Sequence, residues 1–208
     1  MSWHLAASLE TFRDQIDFRF PNRSKESDGT IGDEAHSSSD SDHNPDENGA
    51  VKAIDITHDP SCGMDCTMLA EMLRAGRDYR VAYIIWNKQI SNPDIENWAW
   101  RPYTGSNPHT MHLHLSVKKE GCEDPALWEA APEPIYFQPA GPMPKLQRGQ
   151  QGLAVKVLQA LLGVGVDGYF GVDTETAVMA AQEELGLYVD GICGSYTWEA
   201  LAENAVTQ

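Results

Sequence analysis

Apolar residues near the N-terminus recur at helical spacing: Leu5, Leu9, Phe12 and Ile16 fall on one side of a 3.6-residue period, which predicts a helix. A polar stretch from Asn22 to Asn48 follows, rich in Asp, Asn, Ser and Gly, and reads as loop. From about Ala50 to His58 the pattern alternates, with Ala53, Asp55 and Thr57 on one face and Ile54, Ile56 and His58 on the other, as in a half-buried strand. Met68, Leu69, Met72 and Leu73 restore the helical period over about Thr67 to Ala75, and Arg80 to Ile90 reads as a second strand. A third strand ends at Val117. In it Met111, Leu113, Leu115 and Val117 point to a core, and His112, His114 and Ser116 point the other way. Helices and strands joined by loops, without regular βαβ alternation, predict an α+β fold with a mainly antiparallel sheet.

Between Lys118 and Pro144 lie six of the chain's twelve prolines, the composition of a semi-extended linker. The expected organisation is therefore a first domain over 1–118, a linker over 119–144, and a second domain over 145–208. Trp128, Ile135, Tyr136 and Phe137 could pin part of that linker to a domain. The second domain repeats itself: Val166-Asp-Gly-Tyr-Phe-Gly-x-x-Thr174 returns 23 residues later as Val189-Asp-Gly-Ile-Cys-Gly-x-x-Thr197. Each Asp-Gly predicts a tight turn and each later glycine, Gly171 and Gly194, a positive-φ position. Asp173 and Thr174, or Ser195 and Thr197, are the expected helix caps. Amphipathic helices follow from Val157, Leu158, Leu161 and Leu162, and from Ala177, Val178, Ala181 and Leu185.

The chemistry concentrates in the first domain. His112 and His114, two apart on one strand, present both imidazoles to one side. Asp55, a carboxylate among small residues beside an apolar face, is costly to bury without a partner. A divalent cation shared with His43 from the preceding loop and His114 from the later strand supplies one. Two imidazoles and a carboxylate leave a fourth position for water, as catalytic zinc requires.

Ser41-x-His43, Ala53-x-Asp55 and the late His112-x-His114 together resemble the zinc peptidases of the lysostaphin, D-Ala-D-Ala peptidase and hedgehog-type group. Residues 41–59 and 98–117 resemble more narrowly the D-Ala-D-Ala carboxypeptidase-like endolysins of phages, and the likeness spans roughly residues 30 to 118. It implies Zn2+ held by His43, Asp55 and His114. The eleven residues between His43 and Asp55 exceed that branch's usual spacing, an insertion that a surface loop absorbs at little cost. Met111 stands where the branch usually carries an acidic general base, so that role passes to His112 or His109. His36, Ser41 and Arg101 are the candidate donors to the oxyanion. His58 reads as structural and His4 as a surface residue, and Trp98, Trp100 and Tyr103 either line a substrate groove or cover the sheet. The segment from Leu146 to Leu201 resembles the three-helix peptidoglycan-binding module of cell-wall hydrolases.

A net charge of -16 argues against nucleic acid as a partner and against electrostatic docking on an anionic envelope. No apolar run is long enough to span a membrane. The first residues lack the basic start and continuous apolar core of a secretory signal. With the resemblance, this implies a monomeric endolysin made in the host cytosol and acting on peptidoglycan after release. Two readings are carried forward: a zinc peptidase of wall peptides, or a noncatalytic wall-binding protein with a structural zinc. The four cysteines show no framework, and free thiols are expected, although Cys62 and Cys66 are close enough in sequence for a local disulfide.

Overall fold

Leu9, Phe12 and Ile16 are fully buried on one side of α1 (Ala7–Arg19), as their spacing requires. The computed structural model describes residues 3–32, 41–128 and 143–206 of the protein, in two units, Met1–Ile135 and Tyr136–Gln208. Among the described residues the fold is α+β, with five α-helices and one five-stranded antiparallel sheet.

In the first unit a short strand β1 (His4–Leu5) pairs in parallel with β2 (Ala50–Val51). The main sheet contains β3 (Ala53–Thr57), β4 (Val81–Trp86), β5 (Gln89–Ser91), β6 (Arg101–Pro102) and β7 (His112–Val117), in the order β3-β7-β4-β5-β6. Helix α2 (Cys66–Gly76) starts at Asp65, whose carboxylate accepts from the Thr67 amide at 2.8 Å, a side-chain N-cap. Leu69, Ala70 and Leu73 of α2 join Leu9, Phe12 and Ile16 of α1 against Ile54, Ile56, Ile84, Leu113 and Leu115. One face of the sheet therefore carries the core, and strand alternation turns Asp55, Tyr83, His112 and His114 to the opposite face.

Three sequence expectations change here. The single strand expected over Arg80 to Ile90 is a hairpin: Asn87 and Lys88 both have positive φ, 47° and 65°, which matches the twist of a two-residue turn. Met111 is not a core residue. It precedes β7 and is 65% exposed, and only its carbonyl is used, accepting from the His58 amide at 2.9 Å. The first core takes in part of the stretch expected as linker over 119–144, because Cys122 and Trp128 are buried in it. Trp128 is 1% exposed, meets Phe12 edge-on at 5.3 Å, and lies under the Arg80 guanidinium at 4.1 Å. Its indole donates to the Ser8 carbonyl at 2.7 Å, while Gln15 bonds its backbone at both ends. A large aromatic with its one polar atom satisfied outweighs the extended preference of the prolines around it. Ile135, Tyr136 and Phe137 lie outside the described residues.

In the second unit α3 (Leu153–Leu161), α4 (Val172–Glu184) and α5 (Ser195–Val206) enclose Val155, Leu158, Phe170, Val178, Cys193 and Trp198. Each copy of the repeat is organised by a buried glutamine also spaced by 23 residues. The Gln159 amide donates to Asp167 Oδ1 at 2.7 Å and Thr174 Oγ1 at 2.9 Å, and its oxygen accepts from the Gly168 amide. Gln182 repeats these contacts with Asp190, Thr197 and Gly191. The expected glycine and cap roles are accordingly revised. Positive φ belongs to the glycine of each Asp-Gly, 75° at Gly168 and 70° at Gly191, whereas Gly171 caps α4 at φ -88°. Thr174 and Thr197 serve the glutamines, not the helix ends. All four cysteines are free thiols, and Cys62 and Cys66 are not bridged.

Candidate metal centre

The antiparallel register of β3 and β7 sets Asp55 directly opposite His114. His114 Nδ1 lies 3.0 Å from Asp55 Oδ1. His43 reaches the pair from the loop before β2, with Nε2 3.2 Å from His114 Nδ1 and 3.4 Å from Asp55 Oδ2. Eleven intervening residues thus do not prevent His43 from reaching the sheet.

The outward ring nitrogen of His43 fixes what its inward one offers. His43 Nδ1 donates to the Thr30 carbonyl at 2.8 Å, and a carbonyl can only accept, so a neutral His43 presents a lone pair at Nε2. His114 Nε2 lies 2.9 Å from Ser116 Oγ, and its ring stacks on Tyr83 with 5.4 Å between centroids. Two imidazole nitrogens and an anionic oxygen therefore converge, and with the His114 proton on Nε2, toward Ser116, both nitrogens offer lone pairs to a cation. That set fits a cation of the zinc type, whose imidazole ligands are held through their second nitrogen.

Electrostatics agree. Burial alone would raise the Asp55 pKa, but hydrogen bonds and charge from His114 and His43 hold it far below the usual carboxylate range. Burial disfavours a charged His43, yet the Asp55 carboxylate outweighs it and raises that imidazole above its ordinary value. The carboxylate is thus ionised at neutral pH, as a ligand must be.

Two further histidines flank the cluster. His112 Nε2 lies 3.9 Å from Asp55 Oδ2, and burial is the chief cause of its lowered pKa. His109 packs edge-on against His112 at 5.1 Å and against His114 at 5.4 Å. Burial, reinforced by His114 and His112, pushes His109 down to about 4, and its buried Nδ1 has no hydrogen-bond partner. A cavity of about 440 Å³ opens over the centre, walled by Ser41, Tyr83, Tyr103, Asn107 and His109 besides the three clustered residues.

The other candidates from the sequence scatter. Ser41 lines the cavity and accepts from the His43 amide at 3.3 Å. Arg101 does not line it: its guanidinium donates to Asn92 at 3.0 Å, because β6 sits at the far edge of the sheet. His36 lies outside the described residues. Of the aromatic run, Tyr103 lines the cavity, Trp98 is buried in the core, and Trp100 donates to Glu71 at 2.6 Å. His58 is structural, accepting from the Cys66 amide at 3.1 Å and packing on Trp86. His4 is on the surface, 3.0 Å from Glu123.

Sequence reasoning missed the strip from Gly29 to Gly32, which runs beside β3 and holds both ligand groups. The Asp55 amide donates to the Gly29 carbonyl at 2.8 Å, Thr30 orients His43, and the Gly32 amide donates to the His43 carbonyl at 3.0 Å. A Cβ on Gly29 would stand 2.6 Å from Asp55 Oδ2, so only glycine fits there without moving the carboxylate. The two glycines that directly flank Thr30 and Ile31 were the available signal in an otherwise polar loop. Gly29→Ala is expected to keep the fold and weaken zinc affinity by roughly 10–100-fold, the range for changes that disturb ligand orientation. A competition titration with a zinc chelator, alongside a thermal melt, checks this.

Residues 151–201 match the family described as "Putative peptidoglycan binding domain". The chain is a peptidoglycan-related protein. Its residues 151–201 are thus similar to a peptidoglycan-binding domain. A curated relative, an uncharacterized protein in the bpoA1 3' region of Kitasatospora aureofaciens, is 45% identical over 65 residues, covering 28% of this chain and 55% of the relative. The chain thus spans about half the length of that relative. Among solved structures, the SleB N-terminal domain is 37% identical over 31% of this chain and 97% of its own, with a TM-score of 0.30. A fused Zn-dependent amidase/peptidase/peptidoglycan-binding domain-containing protein from Clostridium acetobutylicum is 29% identical over 29% of each chain, with a TM-score of 0.28.

Proposed function

We propose that the protein is a zinc-dependent peptidase of peptidoglycan, of the endolysin kind, cutting an amide bond in the stem peptide or cross-link. The observation that carries this reading is the convergence of His43 Nε2, His114 Nδ1 and the Asp55 carboxylate within 3.0–3.4 Å, each imidazole held from behind. Bound there, zinc would polarise the scissile carbonyl and lower the pKa of water from ~15.7 to about 7.

The chain's own groups would do the rest. Asp55 neutralises part of the ion's charge, while Thr30 and Ser116 keep the imidazoles aimed. His112, beside Asp55 on the same strand face as His114, would take the proton from the attacking water and return it to the leaving amine as the C–N bond breaks. Ser41 and Tyr103, on the cavity wall, would be placed to donate to the carbonyl oxygen, a role for which Arg101, bonded to Asn92, is not placed. The peptidoglycan-binding domain would raise the local concentration of substrate without altering the centre.

Purified peptidoglycan incubated with the protein should lose turbidity and release new amino termini. Prior treatment with a chelator should abolish this, and one equivalent of zinc should restore it. Mass spectrometry of the released fragments identifies the bond. A protein that binds one zinc and the wall yet releases nothing would be the noncatalytic, structural-zinc alternative.

A further inference from the structure

The two repeats of the second unit each open a cleft, and the clefts differ in their aromatic residues: the first has Tyr169 where the second has Ile192. The cleft of the first repeat is bordered by Gly165 and Asp173, where the second, 23 residues on, has Tyr188 and Tyr196. These two tyrosines are 84% and 79% exposed, against 47% for Tyr169 in the first repeat. The second cleft, about 290 Å³, has Lys145, Ser195 and Thr197 among its other walls. Its Asp190 carboxylate is already engaged by the Ile192 amide and the Gln182 side chain, both at 2.9 Å. The cleft therefore combines polar groups with Leu187 and Ile192 and is bordered by two exposed aromatic rings.

Such a shape fits a pyranose ring, whose C–H faces pack on aromatic rings while its hydroxyls and amide reach polar neighbours. Charge separates the two components of the wall. Residues 143–206 carry three basic against eight acidic side chains, so peptide stems bearing free carboxylates are repelled and an uncharged sugar backbone is not. We infer that the cleft between Tyr188 and Tyr196 docks the neutral N-acetylhexosamine strand of peptidoglycan, not its peptide stems. This rests on the wall reading above and specifies which part of the wall the domain holds. It would leave the peptide stems free for the centre at Asp55.

The test uses the full-length chain, sacculi stripped of stem peptides by an amidase and then capped as methylamides on the lactyl carboxylates this frees, intact sacculi, and chitotetraose as a soluble neutral probe. Stripped glycan is expected to retain the protein about as well as intact sacculi. The double variant Tyr188→Ala/Tyr196→Ala should bind stripped glycan and chitotetraose about tenfold more weakly, as for the loss of two stacking contacts. Tyr169→Ala should change binding by less than about twofold, the limit for a contact of small energy. Both tyrosines are largely solvated, so a thermal melt should show the double variant folded. Retention by intact sacculi alone, or a double variant that binds stripped glycan like the wild type, would overturn the inference and leave the peptidase reading standing. A chain retained by neither form would overturn the inference and the wall reading together.

Discussion

Asp55→Ala is expected to empty the metal centre and abolish wall cleavage while leaving the sheet folded. Asp55 is the only carboxylate in the three-residue cluster and faces both imidazoles, at 3.0 Å from His114 and 3.4 Å from His43. Without it only imidazoles remain around the centre, with no anionic charge to hold a dication against water. The loss of zinc affinity should exceed the roughly 10–100-fold typical of disturbing a ligand's supporting bond. Asp55→Asn makes the comparison sharper, because its volume is preserved and only the charge is removed. Metal content after gel filtration and turbidity loss on peptidoglycan give the two readouts. An Asp55→Ala protein that still retains one zinc would sink the assignment of this centre.

The second large effect should separate metal binding from proton transfer. His112→Ala is expected to retain one zinc per chain but to lose activity by about 10²–10⁴-fold, the usual contribution of a positioned acid–base group. His109→Ala is the comparison, since His109 lines the cavity, has an unpartnered Nδ1 and packs on His112. If His112 carries the proton, removing His109 should cost far less, its loss acting through the packing of its neighbour's ring. If the larger loss falls on His109, the role belongs there. The zinc content of both variants must be measured beside their rates, because a drop in both would indicate a ligand.

Much of the arrangement was legible in the chain itself. Strand period alone put His112, His114 and Ser116 on one side and Leu113 and Leu115 on the other. The helical spacing of Leu9, Phe12 and Ile16 marked the face of α1 that enters the core. The 23-residue repeat announced the C-terminal unit, although the recurrence of Gln159 and Gln182 at the same offset passed unused. Less legible were features set by a partner distant in sequence. The turn at Asn87 and Lys88 carries no glycine, so the hairpin could not be read from turn residues. Arg101 shares a stretch with the histidines but ends on a sheet edge bonded to Asn92.

Local sequence determined the element types, the faces they present and the residue types able to bind a metal, because periodicity and side-chain chemistry act within a few residues. Tertiary structure alone decided which of them meet. The pairing of β3 with β7 set Asp55 against His114, and the strip at Gly29 and Thr30 aimed both Asp55 and His43. Packing of Trp128 between Phe12 and Arg80 extended the first unit into a proline-rich segment. Convergence of this kind depends on strand order, register and burial across more than fifty residues, and a pattern read along one segment contains none of these.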